Sequence, residues 1–107
     1  MAVWLFILQR GSALVMAPLV LIHIGVMVVA VRNGLSSEEI LGRTQGSVFW
    51  AAFYGLFVLA AAVHGGIGLR AALAESPLPR PAAGALGLVF ALLALWLGGR
   101  AVAALVA

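Results

Sequence analysis

Cysteine, lysine and aspartate are all missing from this chain of 107 residues, and only 8% of it is charged. Without cysteine the chain forms no disulfide, offers no thiolate nucleophile, and ligates neither zinc through sulfur nor an iron-sulfur cluster. Its charges are six arginines and three glutamates. The arginines are scattered singly rather than gathered into a patch, so no nucleic-acid partner is expected. The N-terminus lacks the basic stretch that precedes the apolar core of a signal peptide, and lacks the Arg- and Ser-rich character of a transit peptide. Its first apolar helix is therefore expected to remain in the mature protein. No internal repeat occurs, and low complexity is confined to the Ala/Leu/Gly bias after Ala82.

Apolar residues make up 65% of the chain, an imbalance that no soluble core needs and that an integral membrane protein has. There is no room beside the membrane part for a soluble catalytic domain, so any enzymatic role must be shared with other subunits. Residues 1–107 read as a single all-α membrane domain with three spans, at about 11–31, 48–69 and 82–105. Met1 to Leu8 is apolar but too short to span, and Gln9-Arg10-Gly11-Ser12 cuts it off, which predicts an interfacial segment or a helix start. Gly11 to Val31 then runs without a formal charge for about 31 Å of helix. Pro18 predicts a kink in this span, and Arg32-Asn33-Gly34 closes it. Ser36-Ser37-Glu38-Glu39 predicts a short surface helix with an acidic first turn.

The second span opens with Phe49, Trp50 and Tyr54, as an aromatic interface belt would. The prolines of Ser76 to Pro81 stop its continuation. The third span ends beyond Arg100, whose side chain can snorkel to the far interface. Arginines divide evenly between the two sides, Arg10, Arg70 and Arg80 against Arg32, Arg43 and Arg100, so charge alone does not orient the chain.

The only two histidines, His23 and His64, fall inside the first and second spans. An ionisable imidazole in an apolar helix marks a functional site, and histidine is the commonest metal ligand among side chains. Two other readings stand beside that one: a buried histidine hydrogen-bonded to a neighbouring helix, and a proton relay. A relay usually wants further acids at adjoining depths, and no glutamate lies inside any span. Gly65, Gly66 and Gly68 surround His64 and would let a flat, bulky cofactor approach the backbone. With Arg10 and Arg70 at similar depth, His23 lies about 20 Å and His64 about 9 Å inside its marker at the helical rise. The axial pair of one haem must face the same iron, so this offset of about 11 Å suggests two haems, each completed by another chain.

These residues resemble the cytochrome b membrane-anchor subunit of succinate dehydrogenase and fumarate reductase, over Gln9 to Glu75. In that family the first span opens with a motif like His-Arg-x-Ser-Gly, matched by Gln9-Arg10-Gly11-Ser12-Ala13. The second carries His-x-x-x-Gly-x-Arg followed by an acidic residue, matched by His64, Gly68, Arg70 and Glu75. Gln9 stands where the family usually has histidine, Ala13 where it has glycine, Ala71 where many members have a second histidine, and Phe6 where some have a quinone-contacting serine.

The resemblance implies that His64 is an axial ligand of haem b, and that Arg10 and Ser12 lie by a quinone pocket and the haem propionates. In two-haem members the first-span histidine, here His23, serves the distal haem. It further implies half of a haem-binding helical bundle completed by a second membrane-anchor subunit, with iron-sulfur and flavoprotein subunits docked outside. Quinone would be the substrate, Arg10 and Arg70 would face the iron-sulfur subunit, and the setting would be an energy-coupling membrane, such as a bacterial inner membrane. A cytochrome subunit of another dehydrogenase, or a haem-free structural or assembly protein, are the alternatives.

Overall fold

The computed structural model describes residues 2–107. Four helices follow one another: α1 Val3–Arg32, α2 Ser37–Thr44, α3 Val48–Ala74 and α4 Arg80–Val106, with no strand among the described residues. Helices α1, α3 and α4 are long and apolar enough to cross a bilayer, and the chain is an all-helical integral membrane protein measuring 48 × 23 × 22 Å.

The break expected at Gln9 to Ser12 does not occur. Helix α1 starts at Val3 and runs on for 30 residues, about 45 Å at the helical rise. The Ser12 hydroxyl donates to the Gln9 carbonyl one turn back (3.0 Å), so the serine is satisfied inside the helix rather than at its start. Gly11 faces open space and costs only its lower helix propensity, about 1 kcal/mol. Arg10 and Ser12 thus sit two turns inside a helix. Helix α3 likewise continues past Leu69 to Ala74. Helix α4 starts before Ala82 because Pro79 caps it and Pro81 falls in its first turn, where a missing amide costs no hydrogen bond.

Helix α2 forms from its capping residues. The Ser36 hydroxyl accepts from the Glu39 amide (3.0 Å), with Glu38 and Glu39 in the first turn where the helix dipole favours them. Arg43 pairs with Glu39 one turn later, and Asn33 reaches the same carboxylate from the end of α1 (3.1 Å). The C-terminal end of α2 then caps α4. Thr44 donates its hydroxyl to the Leu105 carbonyl (2.7 Å), the Gly46 amide donates to Val106 (2.9 Å), and the Gln45 side chain donates to Ala107 (3.1 Å). These carbonyls have no partner within their own helix, and Thr44 is the most buried polar residue, 2% exposed.

Helix α3 lies between the other two spans, with its larger contact against α4 and a smaller one against α1. The α3–α4 seam is built on glycine. A Cβ on Gly87 would stand 2.7 Å from the Gly66 carbonyl oxygen, and one on Gly66 would stand 3.0 Å from that of Gly87. The two backbones therefore touch, which is how helices associate where lipid removes the hydrophobic drive between them. A Cβ on Gly65 would meet the Phe90 ring of α4 at 2.7 Å. The clearance expected beside His64 from Gly65 and Gly66 is accordingly filled by α4. Most large apolar side chains of α1 and α4, such as Leu14, Leu21, Leu93 and Trp96, remain exposed and face lipid or another chain.

Candidate functional site

Helices α1 and α3 run antiparallel, and three contacts fix their register. Ser12 faces His64, with Oγ 3.3 Å from the imidazole Nδ1. Gln9 faces Gly68, where an added Cβ would lie 3.4 Å from the Gln9 amide nitrogen. His23 faces Tyr54 and Phe57, its ring meeting theirs edge-on at 5.7 and 5.5 Å between centroids. His64 and Gly68, four residues apart, share the face of α3 turned to α1.

The register brings together Ser12, His64 and Gly68, with Gln9 as a fourth member. It keeps His23 apart. Ser12 to His23 is eleven residues along α1, about 16 Å, and His64 to the Phe57 and Tyr54 level is about 10 to 15 Å along α3 at the helical rise. The same register sets Arg10 about 5 Å deeper than Arg70, so the two arginines are not level, as the depth comparison assumed.

Arg10 is exposed, with its guanidinium over the Phe6 ring at 5.3 Å from the centroid, a cation–π stack that leaves its N–H donors free. Arg70 points elsewhere. Its side chain lies along α4, with Cβ 3.0 Å from where a Gly87 Cβ would be and Nε 3.7 Å from one on Gly84. It rims an apolar cavity of about 340 Å³ walled by Trp4, Leu5, Leu8, Ile67 and Leu88. The structure therefore does not bring Arg70 to His64.

The two ring nitrogens of each histidine decide how it fits a haem iron. His64 has Nδ1 beside Ser12 and no hydrogen bond at Nε2, the division of roles that a metal-ligating imidazole needs. His23 has a buried Nδ1 with no partner, an orphan that costs free energy. It borders a second apolar cavity of about 390 Å³, which Tyr54, Arg43 and Thr44 also line. Among the described residues no three His, Asp or Glu side chains cluster as a metal site. By that measure His64 fits, whereas His23 leaves a ring nitrogen for an iron but lacks the partner that would orient its ring.

Sequence reasoning placed Tyr54 in an interface belt and passed over Phe57, Arg43 and Gln9 as site residues. Their signal is the register itself. Once Ser12 is set opposite His64, antiparallel counting puts Gln9 by Gly68 and His23 by Tyr54. The buried, unpartnered Oε1 of Gln9 is visible only in three dimensions.

No curated protein and no solved structure matches the chain significantly. A family model does match it, over residues 1–99, and its description is the transmembrane subunit of succinate dehydrogenase and fumarate reductase. With three apolar spans, nearly the whole chain covered and the first- and second-span motifs facing each other, the chain belongs to the succinate dehydrogenase/fumarate reductase transmembrane subunit family.

Proposed function

We propose that the chain is the haem b-binding anchor of a succinate:quinone oxidoreductase or quinol:fumarate reductase. It carries electrons between an iron-sulfur subunit and membrane quinone. His64 is an axial ligand of one haem and His23 of a second, with the opposite ligands supplied by a second membrane-anchor subunit. The observation that carries this reading is the separation of the only two histidines by about 10 to 16 Å of helix, each with a ring nitrogen left for a ligand. A haem, when bound, exchanges single electrons without a proton having to move with each.

The chain's own residues orient and seal that site. Helix α1 covers one side of His64 with Ser12 and Gln9, and Gly68 lets α1 approach. Arg10, free of any carboxylate in the chain, is placed to pair with a propionate or hydrogen-bond a quinone oxygen. Arg70 lies at the same end of the bundle, the end that would face the iron-sulfur subunit. The dicarboxylate chemistry belongs to that flavoprotein, and the setting is a bacterial inner membrane with this end cytoplasmic.

Purification with the co-expressed partner subunits tests the reading. Protohaem should co-purify, be reduced by succinate, and decrease in the His64→Ala complex. An assembled complex without protohaem, or full haem retention after His64→Ala, overturns it. Other co-purifying soluble subunits would reassign the chain to a different dehydrogenase.

A further inference from the structure

We infer that Ser12 is a positioning residue that fixes the tautomer of His64, rather than a hydrogen-bond donor to quinone. The inference rests on the proposed haem ligation. It starts from the count of hydrogens on one hydroxyl.

Ser12 is 8% exposed, and its Oγ touches two polar atoms, the Gln9 carbonyl oxygen at 3.0 Å and His64 Nδ1 at 3.3 Å. A carbonyl oxygen only accepts, so the single hydroxyl hydrogen lies on the Gln9 side. None is left for the imidazole. With the hydroxyl so turned, the hydrogen between Oγ and Nδ1 comes from the ring, and Ser12 accepts it. In the alternative tautomer the hydroxyl would have to swing its hydrogen away from Gln9 O to reach Nδ1, exchanging a 3.0 Å bond for one of 3.3 Å.

With the proton on Nδ1, Nε2 is unprotonated and presents its lone pair. That is the form a metal binds, and the partner of the second nitrogen decides which ring nitrogen it is. Backbone carbonyl, serine and histidine therefore form a short relay of orientation. Gln9 O fixes the hydroxyl, the hydroxyl fixes the ring, and the ring aims Nε2. The same hydrogen bond makes the imidazole a stronger electron donor, which favours ferric over ferrous iron.

The test uses the complete complex assembled with its partner subunits. Ser12→Ala should raise the midpoint potential of the His64 haem and weaken haem retention about tenfold, the lower end for loss of such a partner. A tenfold change in the ferric-to-ferrous preference corresponds to about 59 mV for one electron. Ser12→Thr, which keeps a hydroxyl able to bond the Gln9 carbonyl, should restore the wild-type potential. A His64 haem with an unchanged potential in Ser12→Ala overturns the inference and leaves the haem reading standing. Failure of threonine to restore the potential also overturns it.

A second measurement needs no variant. In the complex stripped of its haem, with this chain alone carrying ¹⁵N-histidine, only two imidazoles are labelled and no iron sets their tautomers. Nδ1 of His64 should carry a hydrogen-bonded proton, and a proton on Nε2 overturns the assignment. A wild-type complex that contains no haem overturns the proposed function and the inference together, and is thereby told apart from the other outcomes.

Discussion

Replacing His23 by phenylalanine separates one haem from two. The ring edges of Tyr54 and Phe57 that now meet the imidazole at 5.7 and 5.5 Å would meet a phenyl ring instead. The Nδ1 that disappears has no partner in the chain, so no hydrogen-bonding group is orphaned by its loss. Cavities of about 390 and 250 Å³ beside the ring accommodate the slightly larger side chain, and stability should change by no more than about 1 kcal/mol.

On the proposed haem ligation, the geometry predicts two haems. Imidazole–metal bonds are about 2 Å long, so both ligands of one iron stand about 4 Å apart. His23 and His64 are at least about 10 Å apart in depth at the helical rise, and helix tilts of about 20° shorten that by only a few per cent. The His23→Phe complex should therefore lose half of its protohaem, half of the reduced α-band absorbance and one of two redox transitions, while the His64 haem remains. Haem extraction and a potentiometric titration measure all three. A wild-type complex with one haem, or an unaltered His23→Phe spectrum, refutes the argument.

Arg10→Ala removes an exposed side chain that stacks on Phe6 without a carboxylate partner, so no buried charge is stranded. Quinone reduction should fall while the soluble subunits still assemble, and wild-type quinone kinetics in an assembled variant would exclude a role for the guanidinium. Gly87→Val drives a side chain into the Gly66 carbonyl and should lower stability in detergent by about 1 to 3 kcal/mol. Gly99→Ala, which meets nothing within 4 Å, should be neutral or stabilising by up to about 1 kcal/mol, and a similar loss in both variants would show that the seam is not special. Thr44→Val deprives the Leu105 carbonyl of its 2.7 Å donor and should cost about 1 kcal/mol, read as faster hydrogen exchange in the last turn of α4.

Composition and hydropathy made the three spans and the short α2 legible, because lipid demands long apolar runs and Ser36 with two glutamates spells a helix start. The helix limits were less legible. Gln9-Arg10-Gly11-Ser12 reads as punctuation by residue type, yet Ser12 satisfies itself on the Gln9 carbonyl and the helix passes through. The face of each glycine was not legible either. Gly65, Gly66 and Gly68 lie within four residues, but successive helical positions turn by 100°, so two serve α4 and one serves α1. His64 was readable as an intramembrane imidazole. Its pairing with Ser12, separated by 52 residues, required the register between two helices, which no local pattern encodes.

The two seams of α3 differ in kind, and that difference sets an order of assembly. Against α4, helix α3 makes backbone contact, so parting them would strand a fitted surface along the whole hairpin. Against α1 it meets side chains, and the histidines lie on this second seam. An α3–α4 hairpin can therefore form as a unit, with α1 closing over it last. Apo-protein should thus resist proteolysis in α3 and α4 while α1 is cut, and addition of haem should protect α1.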